Sequence, residues 1–165
     1  MLKEISDPKK ISRLETVATE IIEDTYLIRM DWINKKNRVA VVVESAMHLN
    51  EEYARNFAAA IVTAGHVLCC AVATEELAGE VRYWEIPATP EVLLEFSKAT
   101  AMYNFALIPE DGSFVILCTV DDYIIVAGDS KFVEKAVGGD IAAARAGFRK
   151  FIFDERHAEI ADKYE

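Results

Sequence analysis

The chain has 165 residues, 52% of them hydrophobic, with 28 acids against 18 bases and a formal charge of −10. That length and composition predict one domain with a real core and exclude a largely disordered chain. The charge excludes the counterion-releasing surface that nucleic acid requires and disfavours an anionic membrane, while a basic protein suits it.

Asp7-Pro8 is a helix cap followed by a proline at the first helical position, where a missing N–H is harmless. Ile11, Leu14, Ala18 and Ile21 then recur at helical spacing, so a helix is predicted to about Asp24. Tyr26 to Trp32 reads as a strand, and Asn34-Lys35-Lys36-Asn37 as the turn of a hairpin. Its second strand, Arg38 to Glu44, is a continuous β-branched run and reads as a central strand. Asn50 caps the next helix, with Glu51 and Glu52 at the positive end of its dipole and Gly65 closing it.

His66 to Val72 reads as a buried strand. Glu75 to Glu80 is an acidic connection, and Val81 to Ile86 alternates as a strand should. Thr89-Pro90 repeats the cap-plus-proline start. From Tyr103 to Val126 three apolar runs are separated by Glu110-Asp111-Gly112-Ser113 and by Asp121-Asp122. Such turns supply positive φ or a self-capping Asp, so a three-stranded meander is predicted with Phe114 to Thr119 inside it. Asp129 and Asp140 cap two closing helices around Gly138-Gly139, and the tail from Asp154 is expected to fray.

The chain is thus expected to be a single α+β domain spanning residues 1–165. Its sheet is mixed but largely antiparallel, with helices mainly on one face. Residues 38 to 108 follow the β-α-β-β-α-β order of a ferredoxin-like core, and a C-terminal meander and two helices follow.

No glycine-rich phosphate loop, nucleophile elbow, HExxH, EF-hand loop or CxxC is present. Cys69, Cys70 and Cys118 sit in apolar runs, which fits inert burial in a reducing compartment. The N-terminal MLKEISDPKK lacks the apolar core of a signal peptide, and no run reaches the ~18 apolar residues of a membrane span, so a cytoplasmic location is expected. His48 and His66 flank one helix about 20 Å apart. His157 and Asp154 make an i, i+3 pair, a weak arrangement for a metal. No metal or cofactor is assigned.

Acids gather where strands end, and Tyr83 and Trp84 point to opposite faces of one strand. Glu75, Glu76, Glu80, Tyr83, Trp84, Asp121 and Asp122 are therefore the candidate partner-binding residues. The expected function is a non-enzymatic protein-binding module, such as an acidic inhibitor or immunity-type protein that neutralises a basic bacterial toxin. Two other classes stay open: an enzyme or small-ligand binder with a scattered site, and a homo-oligomeric scaffold.

Overall fold

The computed structural model of the protein describes residues 2–46, 49–75, 82–100 and 103–165. In chain order the elements are β1 (Lys3–Glu4), α1 (Pro8–Ile21), β2 (Ile22–Asp24), β3 (Leu27–Ile28), α2 (Met30–Lys35), β4 (Val39–Glu44), α3 (Glu51–Thr63) and β5 (Leu68–Ala73). They continue with β6 (Tyr83–Pro87), α4 (Pro90–Ala99), β7 (Phe105–Ile108), β8 (Val115–Cys118), β9 (Tyr123–Gly128), α5 (Ser130–Ala136), α6 (Ile141–Phe151) and α7 (Glu155–Lys163).

The fold is α+β. Seven strands form one sheet in the order β1-β6-β5-β7-β8-β9-β4, and every neighbouring pair is antiparallel. β2 and β3 form a separate small hairpin. The predicted meander is β7-β8-β9. Its turns use Gly112 at φ +62° and Asp122 at φ +64°, and Asp111 accepts a hydrogen bond from the Ser113 N–H at 3.0 Å. Asp7, Asn50, Thr89, Asp129 and Asp140 all cap helices through their side chains. Gly65, at φ +92°, closes α3 with paired bonds from its own N–H to Val62 and from His66 to Ile61.

Helices do not keep mainly to one face. Alternation along each strand sends Val41, Val43, Cys69, Ala71, Leu107 and Ile116 into a core under α3, α4 and α5. It sends Ala40, Val42, Cys70, Val72, Val115 and Leu117 into a second core under α1, α2, α6 and α7. Both faces are buried, so the strands read as continuous apolar runs although the sheet is antiparallel. The same fact corrects the place of β4. Its run Val39–Glu44 looks central, yet β4 is the edge strand beyond β9. Its free edge is covered by α6, from which Arg145 donates to the Ala40 carbonyl at 3.0 Å.

Three other expectations change. A ferredoxin-like order is not formed: β5 lies between β6 and β7, and three strands separate β4 from β5. The Tyr26–Trp32 strand is replaced by the β2-β3 hairpin and α2, with Trp32 and Ile33 buried on the helix. The tail from Asp154 forms α7. Asp154 caps it, Ile160 and Ala161 are buried, and the Tyr164 hydroxyl donates to Ile28 O at 2.8 Å. Burying one apolar stripe anchors a charged helix that reads as frayed in isolation.

Candidate functional site

Antiparallel pairing brings the ends of distant strands together. Glu44 pairs with Tyr123, Val72 with Tyr83, and Phe105 with both Ala73 and Cys118. The segments following β4, β5 and β8 and preceding β6, β7 and β9 therefore share one end of the sheet. Glu44, Glu75, Asp121 and Asp122 all lie there. Glu110 and Asp111 follow β7 at the opposite end, as consecutive turns of a meander must.

This end is tied by polar contacts rather than by more core. Thr74 N–H donates to the Asn104 carbonyl at 3.1 Å, and the Val120 N–H donates to the Asn104 side chain at 2.7 Å. Thr119 Oγ1 donates to Tyr123 O at 2.8 Å, and the Ser45 N–H donates to Asp122 O at 2.9 Å. The Tyr123 hydroxyl donates to Tyr26 O at 3.0 Å. A hydrogen-bonded platform carries the acids.

An open cleft of about 500 Å³ lies beside β4 at this end, with Glu44, Asp122, Asn50, Tyr53, Phe151 and Phe153 in its lining. Phe153 leaves the C-terminus of α6 and is 64% exposed. Tyr53, in the first turn of α3, stacks on Phe57 and donates from its hydroxyl to Glu44 O at 2.8 Å. Burial, helped by the charges of Glu44 and Glu52, pushes its phenol up to about 12. Among the described residues, no cation lies within ion-pair reach of Glu44, Glu75 or Asp122.

Behind the cleft sits His157, 3% exposed and ringed by Tyr123, Phe148, Phe151 and Phe153. Its Nε2 lies 2.8 Å from Asp121 O. Its Nδ1 is 3.3 Å from Asp154 Oδ1 without the alignment of a hydrogen bond. Both ring nitrogens thus face the protein, so the His157–Asp154 pair is a packing unit at the root of Phe153 and not an open metal site. Among the described residues, no three His, Cys, Asp or Glu side chains gather as a metal would require.

The structure divides the sequence candidates. Glu75, Asp121 and Asp122 share the strand-end platform. Asp121 is paired with Arg156 at 2.8 Å, and Arg156 also stacks on Tyr26. Tyr83 and Trp84 do point to opposite faces, but helices cover both. Tyr83 is 4% exposed in the α1-side core, and Trp84 is partly buried edge-on to Phe96 of α4, 5.3 Å between ring centres. Neither ring is a free anchor. Glu76, Glu80 and His48 lie outside the described residues. Glu44, Tyr53, Phe151 and Phe153 carry no binding motif in the sequence, and His157 stands out there only as a weak metal pair with Asp154. The one local signal was Phe153, an apolar residue off the α6 stripe immediately before a capping Asp.

The thiols are deep in the sheet. Burial raises Cys69 to about 12 and Cys70 to about 11, and pushes Cys118 up as well. Among the described residues no helix is long and apolar enough to cross a membrane. Compared with protein-family models, curated proteins and solved structures, the chain has no match.

Proposed function

We propose that the protein is an acidic protein-binding module, of the inhibitor or immunity type, that docks a basic protein such as a bacterial toxin. The observation that carries this reading is the cleft in which Glu44 and Asp122 flank the exposed Phe153. A lysine stem or arginine plane of the partner packs on Phe153 and Tyr53, and its charge meets the two carboxylates. Glu75 extends the acidic platform toward β6. The net charge of −10 speeds encounter, and the aromatic anchor sets residence time.

The test is affinity capture, identification of the captured protein, and binding kinetics with that purified partner over a salt series. Glu44→Lys and Glu75→Lys should mainly slow association, by a factor that shrinks as salt rises. Phe153→Ala should mainly speed dissociation. Asp122 is better neutralised to Asn than reversed, because Asn tolerates its positive φ. Capture of no basic protein, or turnover of a small molecule in the same cleft, overturns the reading in favour of a scattered-site enzyme.

A further inference from the structure

A second recess has the opposite electrostatic character. It is a groove of about 340 Å³ bounded by α2, the start of β4, α6 and the C-terminal residues, with Met30, Arg38, Ala40, Arg145, Lys163 and Glu165 in its lining. In a chain with ten more acids than bases, its two guanidinium groups have no carboxylate within ion-pair reach among the described residues.

Both groups are instead held by neutral partners. Arg38 lies over the Trp32 ring, 4.0 Å from its centre, and donates to Trp32 O at 2.7 Å and Gly112 O at 3.4 Å. Arg145 donates to Ala40 O at 3.0 Å and Tyr164 O at 3.2 Å, while its Nε is buried without a partner. The nearby carboxylates are already engaged. Glu165 gives both oxygens to Arg149, at 2.9 and 2.7 Å, and Glu23 is paired with Lys163 at 2.7 Å. Glu165 feels the charge of Arg145 at longer range, but neither guanidinium has a carboxylate of its own within ion-pair reach among the described residues. Carbonyl dipoles compensate a guanidinium only in part, and an oxyanion entering the groove meets the charge that they leave.

We propose that this groove binds a small molecule through a phosphate or carboxylate group held between Arg38 and Arg145. The forked, immobilised donors suit an oxyanion with more than one acceptor edge. The groove lies at the far end of β4 from the acidic cleft, so the site is independent of the protein partner proposed above. Nucleic acid is not the ligand, because the surrounding charge of −10 opposes a polyanion.

The experiment is titration calorimetry of the whole chain with inorganic phosphate and, separately, with malonate, at constant ionic strength in chloride. Saturable binding of one or both is expected, and which probe binds identifies the group recognised. Arg38→Gln and Arg145→Lys should each weaken binding about tenfold, as loss of a charge-assisted fork does. Arg145 also clamps α6 to β4, so its variant is checked for folding by circular dichroism. Asn34→Glu provides a second route: Asn34 lines the groove and is exposed, so a carboxylate there should abolish binding with the fold intact. Absence of saturable binding for both anions, or binding unchanged in Arg38→Gln and Asn34→Glu, overturns the proposal.

Discussion

The two ends of the sheet use the same turn chemistry and put their acids to different use. At the end where β7 meets β8, Glu110 pairs with Lys10 at 2.8 Å and Asp111 with His66 at 3.4 Å, while Asp129 is consumed as the cap of α5. At the other end Asp121 alone is paired, and Glu44, Glu75 and Asp122 have no such partner among the described residues. An acid paired within the fold adds at most about 1 kcal/mol to stability when it is exposed, and its charge is already engaged. An unneutralised acid beside an exposed phenylalanine contributes little there and is available to a partner.

The sheet between the ends should be closed, and the thiols report it. Cys69 and Cys70 face opposite cores, and Cys118 lies under the first. All three are buried with raised pKa values. Native labelling at neutral pH should be at least about a hundredfold slower than in denaturant, since thiolate formation and access both require opening. Fast labelling of Cys70 alone would show that the α1 layer opens by itself and that the two ends are not joined by one rigid sheet.

Ile116 of β8 runs between the ends and is fully buried. Ile116→Ala should cost about 2–5 kcal/mol in denaturant unfolding, through lost burial and a residual cavity. A loss under about 1 kcal/mol would mean that β8, the middle strand of the meander, adds little to either end.

Much of this was legible because it was local. Asp111, Gly112 and Asp122 mark the meander turns in their own dipeptides, and Asp7, Asn50, Thr89 and Asp140 mark helix starts one residue away. Strand order was not legible. The apolar run in β4 reports burial of both faces and says nothing of its edge position. The region from Ile22 to Lys35 failed for another reason: Tyr26, Ile28 and Trp32 fit a strand period, but the hairpin buries Ile28, a six-residue helix buries Trp32, and Tyr26 is left half-buried in the turn. Asp122 of the cleft was visible through its turn. Phe153, Tyr53 and Glu44 were not, because the cleft assembles residues from three distant stretches of chain and no spacing encodes it.

At the paired end, Lys10 bridges Glu110 and Glu85. The hydrogen bonds to Glu110 and then Glu85 raise the Lys10 pKa, and the hydrogen bond from Lys10 holds Glu85 below its ordinary range. The raised amine stabilises the fold fully below its ordinary 10.5, and the depressed carboxylate stabilises it above its ordinary 4.5. Lys10→Met should therefore cost about 1 kcal/mol at neutral pH, given the partial exposure of the group. The gap to the parent chain should close as pH falls through the folded pKa of Glu85. A gap independent of pH would assign the loss to packing of the lysine stem.

The smallest expected effect is the sharpest test of the contrast. Glu44→Gln and Asp122→Asn remove charge from the unneutralised end and keep shape. Asn keeps the tolerance for φ +64° at position 122. The Tyr53 hydroxyl bonds to the backbone carbonyl of Glu44, so that contact survives the substitution. With no ion pair lost and self-repulsion reduced in a chain of charge −10, stability should change by less than about 0.5 kcal/mol, in the stabilising direction if at all. The tyrosine offers a local readout. Burial and then the Glu44 charge raise its pKa to about 12. In Glu44→Gln its ultraviolet titration should move to lower pH but remain above the ordinary range, because burial is unchanged. A destabilisation above about 1 kcal/mol in either variant would make these acids structural, like those at the other end. The cleft would then lose its claim to a partner.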